Sequence, residues 1–163
     1  METIRVLFTR RRHLGSLAIR TFTWSAWSHV DLLDDSAGRP ELVGAVAPSG
    51  VVVEPLAYRL QKASRAALVE FRVGSAAAVL AAARSQVGKP YDWVGVAGLV
   101  TRSRDWQGEE DWFCSELIAW ALAQGGVPLF RETLVGRITP QHLWMLDNPY
   151  IRPSKPMELL DHI

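Results

Sequence analysis

Strand-like segments fill the first half of the chain and helix-like segments fill most of the second, and this order constrains the fold more than any other feature. Thr3 to Thr9 is rich in Ile, Val, Leu and Phe and reads as a strand. Ser28 to Leu33, Leu42 to Val46, Val51 to Glu54 and Ala66 to Val73 read the same way. Between the second and third, Asp34-Asp35-Ser36-Ala37-Gly38-Arg39-Pro40 is dense in turn formers and predicts a hairpin. Leu14 to Trp24 carries apolar residues close to a helical period. From Ser75 the pattern is helical. An alanine-rich segment runs to Val87, with Ser75 as N-cap and Gly88 as its stop. A short helix is predicted over Tyr91 to Leu99, a polar loop over 101–111, and a helix over Phe113 to Gln124 ended by Gly125-Gly126. Thr139-Pro140 opens a last helix to about Leu146, and a tail with three prolines reads as extended. Strands followed by helices predict an α+β fold, an antiparallel sheet covered by helices on one side. No repeat or linker interrupts residues 1–163, so a single domain is expected.

Composition narrows the function classes. With 48% apolar and 21% charged residues the chain suits a globular core rather than disorder. A formal net charge of +1 predicts no partner by itself, and no nucleic-acid partner is expected. Arg5, Arg10, Arg11, Arg12 and Arg20 crowd the N-terminal region, which suits either a basic patch toward anionic lipid or nucleic acid, or a solvated loop. No run of eighteen apolar residues exists and no signal-peptide pattern is seen, so a cytoplasmic site of synthesis is expected. The single cysteine excludes an intramolecular disulfide and argues against a cysteine-based zinc site; no cofactor and no metal is expected.

That cysteine lies in Trp112-Phe113-Cys114-Ser115-Glu116-Leu117, where a polar loop gives way to a helix. Free backbone N–H groups and the helix dipole favour thiolate there. Read from the residues alone, Cys114 is either such a nucleophile or a structural thiol packed beside Phe113. Of the four histidines, His162 lies in the tail, His13 in the basic N-terminal turn, and His142 in the first turn of the last helix, a capping position. His29 lies in a strand, on one face with Asp31, while Val30 and Leu32 take the other. It suits a base for a thiol or a satisfied histidine on a sheet face. Trp24, Trp27, Trp93, Trp106 and Trp112 cluster in sequence around these motifs and suit either a substrate groove or core packing.

Ser28-His29-Val30, Gly88-Lys89-Pro90-Tyr91-Asp92-Trp93 and Phe113-Cys114-Ser115-Glu116-Leu117 together resemble the NlpC-type, papain-like cysteine peptidases. With His before Cys the resemblance is to the circularly permuted branch, which holds the YiiX-like amidases and the lecithin:retinol acyltransferase group. Ile138-Thr139-Pro140 resembles a segment that follows the cysteine helix there. The resemblance covers about residues 24 to 146. It implies a papain-like core with the cysteine at a helix N-terminus, Cys114 as nucleophile and His29 as base. It implies a site-lining role for Tyr91, with Tyr91 or the backbone N–H of Cys114 or Ser115 as oxyanion donors. It also implies amide hydrolysis in peptidoglycan-like peptides through a thioester, or acyl transfer on lipids at a membrane surface. One departure stands out. The branch commonly has a glutamate on the strand after the histidine strand, and Gly44 occupies that position here. Glu41 is near but of opposite parity. Asp31 shares a face with His29, although residues two apart along a strand are about 7 Å apart. A site lacking this third group would fit a non-catalytic binding module.

Overall fold

The computed structural model describes residues 1–11, 25–92, 112–131, 134–135, 138–146 and 157–161. The expected helix over Leu14 to Trp24, nearly all of the one over Tyr91 to Leu99, the 101–111 loop, the start of the tail, His13, His162, Arg12, Arg20, Trp24, Trp93 and Trp106 lie outside the described residues.

Among the described residues six strands form one antiparallel sheet: β1 (Glu2–Arg10), β2 (His29–Asp34), β3 (Glu41–Val46), β4 (Gly50–Pro55), β5 (Arg65–Val73) and β6 (Met157–Asp161), in the order β4-β3-β2-β1-β5-β6. Among the described residues four helices accompany them: α1 (Leu56–Gln61), α2 (Ala76–Ser85), α3 (Cys114–Gln124) and α4 (Pro140–Trp144). Each strand read from its β-branched and aromatic content is present within a residue or two of its expected ends. Ser75 caps α2 by accepting the Ala78 N–H at 3.2 Å, and Pro140 sits in the first turn of α4.

Side-chain parity divides the sheet into two apolar layers. Val6, Phe8, Val30, Leu32, Val43, Ala45, Val69 and Phe71 face one way and pack against Val79 and Ala83 of α2 and Leu117, Ile118 and Ala121 of α3. Phe8, Trp27 and Trp144 stack in this layer, with ring centroids 4.7 to 5.9 Å apart. Leu7, Leu33, Leu42, Ala66 and Leu68 face the opposite way, toward Leu56 and Leu60 of α1. Helices on one side of the sheet are therefore only part of the architecture: α1 covers the reverse face. It escapes a reading by periodicity because six residues are too short to show one. Among the described residues no helix is long and apolar enough to cross a membrane.

Arg5 and Arg10 belong to β1 rather than to a loop. Arg5 pairs with Asp35, and Arg10 Nε donates to Ser64 Oγ at 3.4 Å.

Candidate active site at the tip of the cysteine helix

Cys114 is the first residue of α3, following Phe113 in extended conformation. The thiol is buried, on the side of the sheet that carries Val30 and Leu32. The backbone N–H groups of Val30, Ser115 and Cys114 itself point at the sulfur. The β2–β3 ladder is registered over Leu32↔Val43 to Asp34↔Glu41, so the sulfur lies against β2 just where its pairing with β3 ends. The environment differs from the thiolate-favouring one expected of a helix start. The amides do favour thiolate, but burial outweighs them and, with the charge of Asp31, pushes the thiol up to about 12.

His29 is the first residue of β2, immediately before Val30. Its Nε2 lies 2.8 Å from Asp31 Oδ1. The backbone spacing of about 7 Å between residues two apart does not keep the two apart, because the Asp31 carboxylate leans into a space that β3 leaves empty and meets the ring from there. Gly44 is the cause. A Cβ on Gly44 would lie 2.0 Å from Asp31 Oδ1, so any side chain there would collide with the carboxylate. Asp31 thus occupies the room a β3 side chain would fill. Burial, the largest influence on Asp31, opposes its ionisation; His29, Arg59 and Arg11 outweigh it and hold the carboxyl below its ordinary value.

Arg59 and Glu54 complete this cluster, and neither stands out in the sequence. Arg59, 1% exposed, places Nε 3.1 Å from Asp31 Oδ2 and Nη2 2.9 Å from Glu54 Oε2. These two contacts are ion pairs without aligned hydrogen bonds; Arg59 Nη2 donates to Asp31 Oδ1 at 3.4 Å. The sequence signal that existed was Leu56 and Leu60, four apart after a proline, with a lone arginine between them.

The other candidates take different places. Glu41 lies at the far end of the β2–β3 ladder, opposite Asp34, and accepts from Arg84 at 2.9 Å; it is no partner of His29. The Ser115 hydroxyl donates to the Ile138 carbonyl and clips the segment before α4 onto α3, leaving its backbone N–H toward the sulfur. Tyr91 is buried, 6.1 Å between ring centroids from Phe113, and burial with the nearby Cys114 and Asp92 raises its phenol, which stays a donor. Its placement depends on Gly50, whose φ of +78° and lack of Cβ let β4 meet Lys89: Val51 N–H donates to the Lys89 carbonyl at 2.9 Å. Asp92 N–H then donates to Trp112 O at 3.2 Å, tying this segment to the approach to Cys114. His142 caps its own helix, Nδ1 accepting from the Thr139 N–H at 3.0 Å.

Fold and site together define an α+β protein in which a helix carrying a cysteine at its tip packs against the middle of an antiparallel sheet. The chain is similar in structure to the metalloprotein YiiX from Escherichia coli O157:H7, seen in a crystal structure, with a TM-score of 0.68 and 18% sequence identity over 96% of this chain and 97% of that one. No protein-family model and no curated protein sequence matches it. At that identity the likeness is one of fold. Among the described residues no group of three or more His, Cys, Asp and Glu side chains is placed to hold a metal ion, and the carboxylate nearest His29 already faces Arg59. The described residues therefore do not fit a metal centre of that kind.

Proposed function

We propose that this chain is a cysteine-nucleophile hydrolase of the permuted NlpC-type, papain-like class, forming one domain and cleaving an amide bond in a peptidoglycan-like peptide. One observation carries the reading: Asp31 holds the His29 imidazole at 2.8 Å, on the strand whose next backbone N–H points at the Cys114 sulfur. An ionised carboxylate at Nε2 keeps the proton on that nitrogen and leaves Nδ1 as the base. The acid that Gly44 cannot supply is thus supplied by Asp31.

In this mechanism the Cys114 thiol gives its proton to His29 Nδ1 and the sulfur attacks the scissile carbonyl carbon. Tyr91 O–H and the α3 backbone N–H groups donate to the resulting oxyanion. The C–N bond breaks as His29 returns the proton to the departing amine, leaving a thioester on Cys114. Water, deprotonated by His29, attacks the thioester; the acid leaves and the thiol regains its proton. The same steps on an acyl lipid give the thioesterase variant, and an acceptor amine or hydroxyl that takes the place of water, losing its proton to His29, gives the acyltransferase variant.

A second reading, a non-catalytic binding module, is favoured by the burial of Cys114, whose neutral thiol is a poor nucleophile until substrate entry changes its surroundings. Labelling with a panel of peptide and acyl electrophiles at pH 7 separates the two. The hydrolase reading expects adducts at Cys114 that are lost in Cys114→Ser and fall at least about 100-fold in His29→Ala. Labelling no faster than that of free cysteine, and indifferent to His29→Ala, would establish the binding module instead.

A further inference from the structure

The reverse face of the sheet is an aliphatic layer of Leu7, Leu33, Leu42, Ala66 and Leu68, and the charged cluster behind His29 breaks it. Asp31 and Arg59 are 0% and 1% exposed, and Glu54 24% on its side chain. Buried ion pairs are poorly repaid in stability compared with apolar packing, so such a cluster calls for another reason. We propose that Arg59 is a positioning residue that holds the Asp31 carboxylate ionised and turned toward His29, so that His29 keeps its proton on Nε2 and presents Nδ1 as base. The inference rests on the Cys114–His29 reading for its purpose, not for its geometry.

Three observations support it. The first is the pairing of the carboxylate: Oδ1 meets His29 Nε2 at 2.8 Å and accepts from Arg59 Nη2 at 3.4 Å, while Oδ2 faces Arg59 Nε at 3.1 Å as an ion pair. A carboxylate with the guanidinium charge against both oxygens is held toward the ring by attraction, although only Oδ1 carries hydrogen bonds. The second is space, since Gly44 leaves the volume into which Asp31 Oδ1 projects. The third is charge balance. The titratable and charged groups acting on Asp31 are His29, Arg59 and Arg11, with Glu54 behind Arg59, Tyr58 beside Arg11 and Cys114 arriving from α3. Without Arg59, only His29 and Arg11 would oppose the burial that raises the Asp31 carboxyl, and the carboxylate would lose the cation that turns it toward Nε2. The carrier of Arg59 is itself fixed: Leu56 and Leu60 bury in the aliphatic layer, and Leu56 N–H donates to the Pro40 carbonyl at 3.0 Å.

The test is NMR on the full chain with labelled aspartate carboxyl carbons and histidine ring nitrogens. In the wild-type protein Asp31 should titrate below the ordinary value of about 3.9 and neutral His29 should carry its proton on Nε2. Arg59→Met should raise the Asp31 midpoint by about one pH unit or more and lower the Nε2-protonated share of neutral His29 as the carboxylate loses its fixed orientation. Electrophile labelling of Cys114 should fall about tenfold or more, with partial recovery in Arg59→Lys. A folded Arg59→Met protein in which Asp31 and the His29 tautomer are unchanged overturns the proposal. Should that variant not fold, wild-type Asp31 titrating at or above the ordinary value does so. Labelling that ignores His29→Ala removes the hydrolase reading and leaves the titration and tautomer to decide the role of Arg59.

Discussion

Gly44 and Asp31 form a steric pair, and the effect of either depends on the other. Gly44 has no unusual backbone angle; what forbids a side chain is the Asp31 oxygen 2.0 Å from its Cβ position. Gly44→Ala should therefore cost about 1–3 kcal/mol through overpacking, read as a lower urea midpoint at unchanged slope. In Gly44→Ala combined with Asp31→Ala the two costs should be clearly less than additive. Additive costs would mean that the two positions do not share the space. In the sequence Gly44 reads as a missing acid, and Asp31, with Glu41, as a candidate to orient the imidazole in its place. The side-chain geometry selects Asp31, because the vacancy on one strand leaves room for the neighbouring strand's acid beside the imidazole.

Helix starts follow the same logic one scale up. Ser75 is legible as an N-cap because its hydroxyl can satisfy an amide the helix leaves open, and Ser75→Ala should lower stability by about 1 kcal/mol in thermal or urea unfolding. At the start of α3, Glu116 reaches back to the Phe113 N–H at 3.4 Å, closing the first turn that holds Cys114. Burial, with Asp92 adding and the Phe113 amide opposing, pushes its carboxyl up to about 7 from an ordinary 4.5. The folded protein thus binds this proton more tightly than the unfolded chain does. The resulting stabilisation is full below about pH 4.5 and is lost as pH rises through about 7. Glu116→Gln keeps the acceptor and removes the ionisation, so its stability relative to wild type should increase from pH 4.5 to pH 8 in chemical denaturation. A difference that is the same at both pH values would refute the shifted carboxyl. Strands and long helices announced themselves by composition and caps. The short α1, and β6 within a tail read only as extended, did not; α1 owes its place to Leu56 and Leu60 packing on the sheet, β6 to its pairing with β5.

At the scale of the molecule the strand order sets what can meet. Strand β1 lies between β2 and β5, so Phe8 sits near the middle of the helix-covered layer, in ring contact with Trp27 and Trp144. Phe8→Ala should cost about 3–5 kcal/mol and lower one transition seen alike by tryptophan fluorescence and far-UV circular dichroism. Two separated transitions would contradict a single cooperative domain. The sequence by itself determined the α+β class, most element boundaries, the helix-tip cysteine and the strand histidine, because caps, turn residues and side-chain periodicity act within a few residues of chain. Tertiary structure decided what surrounds them. It buried the thiol, joined Asp31 to His29 across the gap at Gly44, and brought Arg59 from a helix too short to read, since burial and charge pairing arise only when distant segments pack.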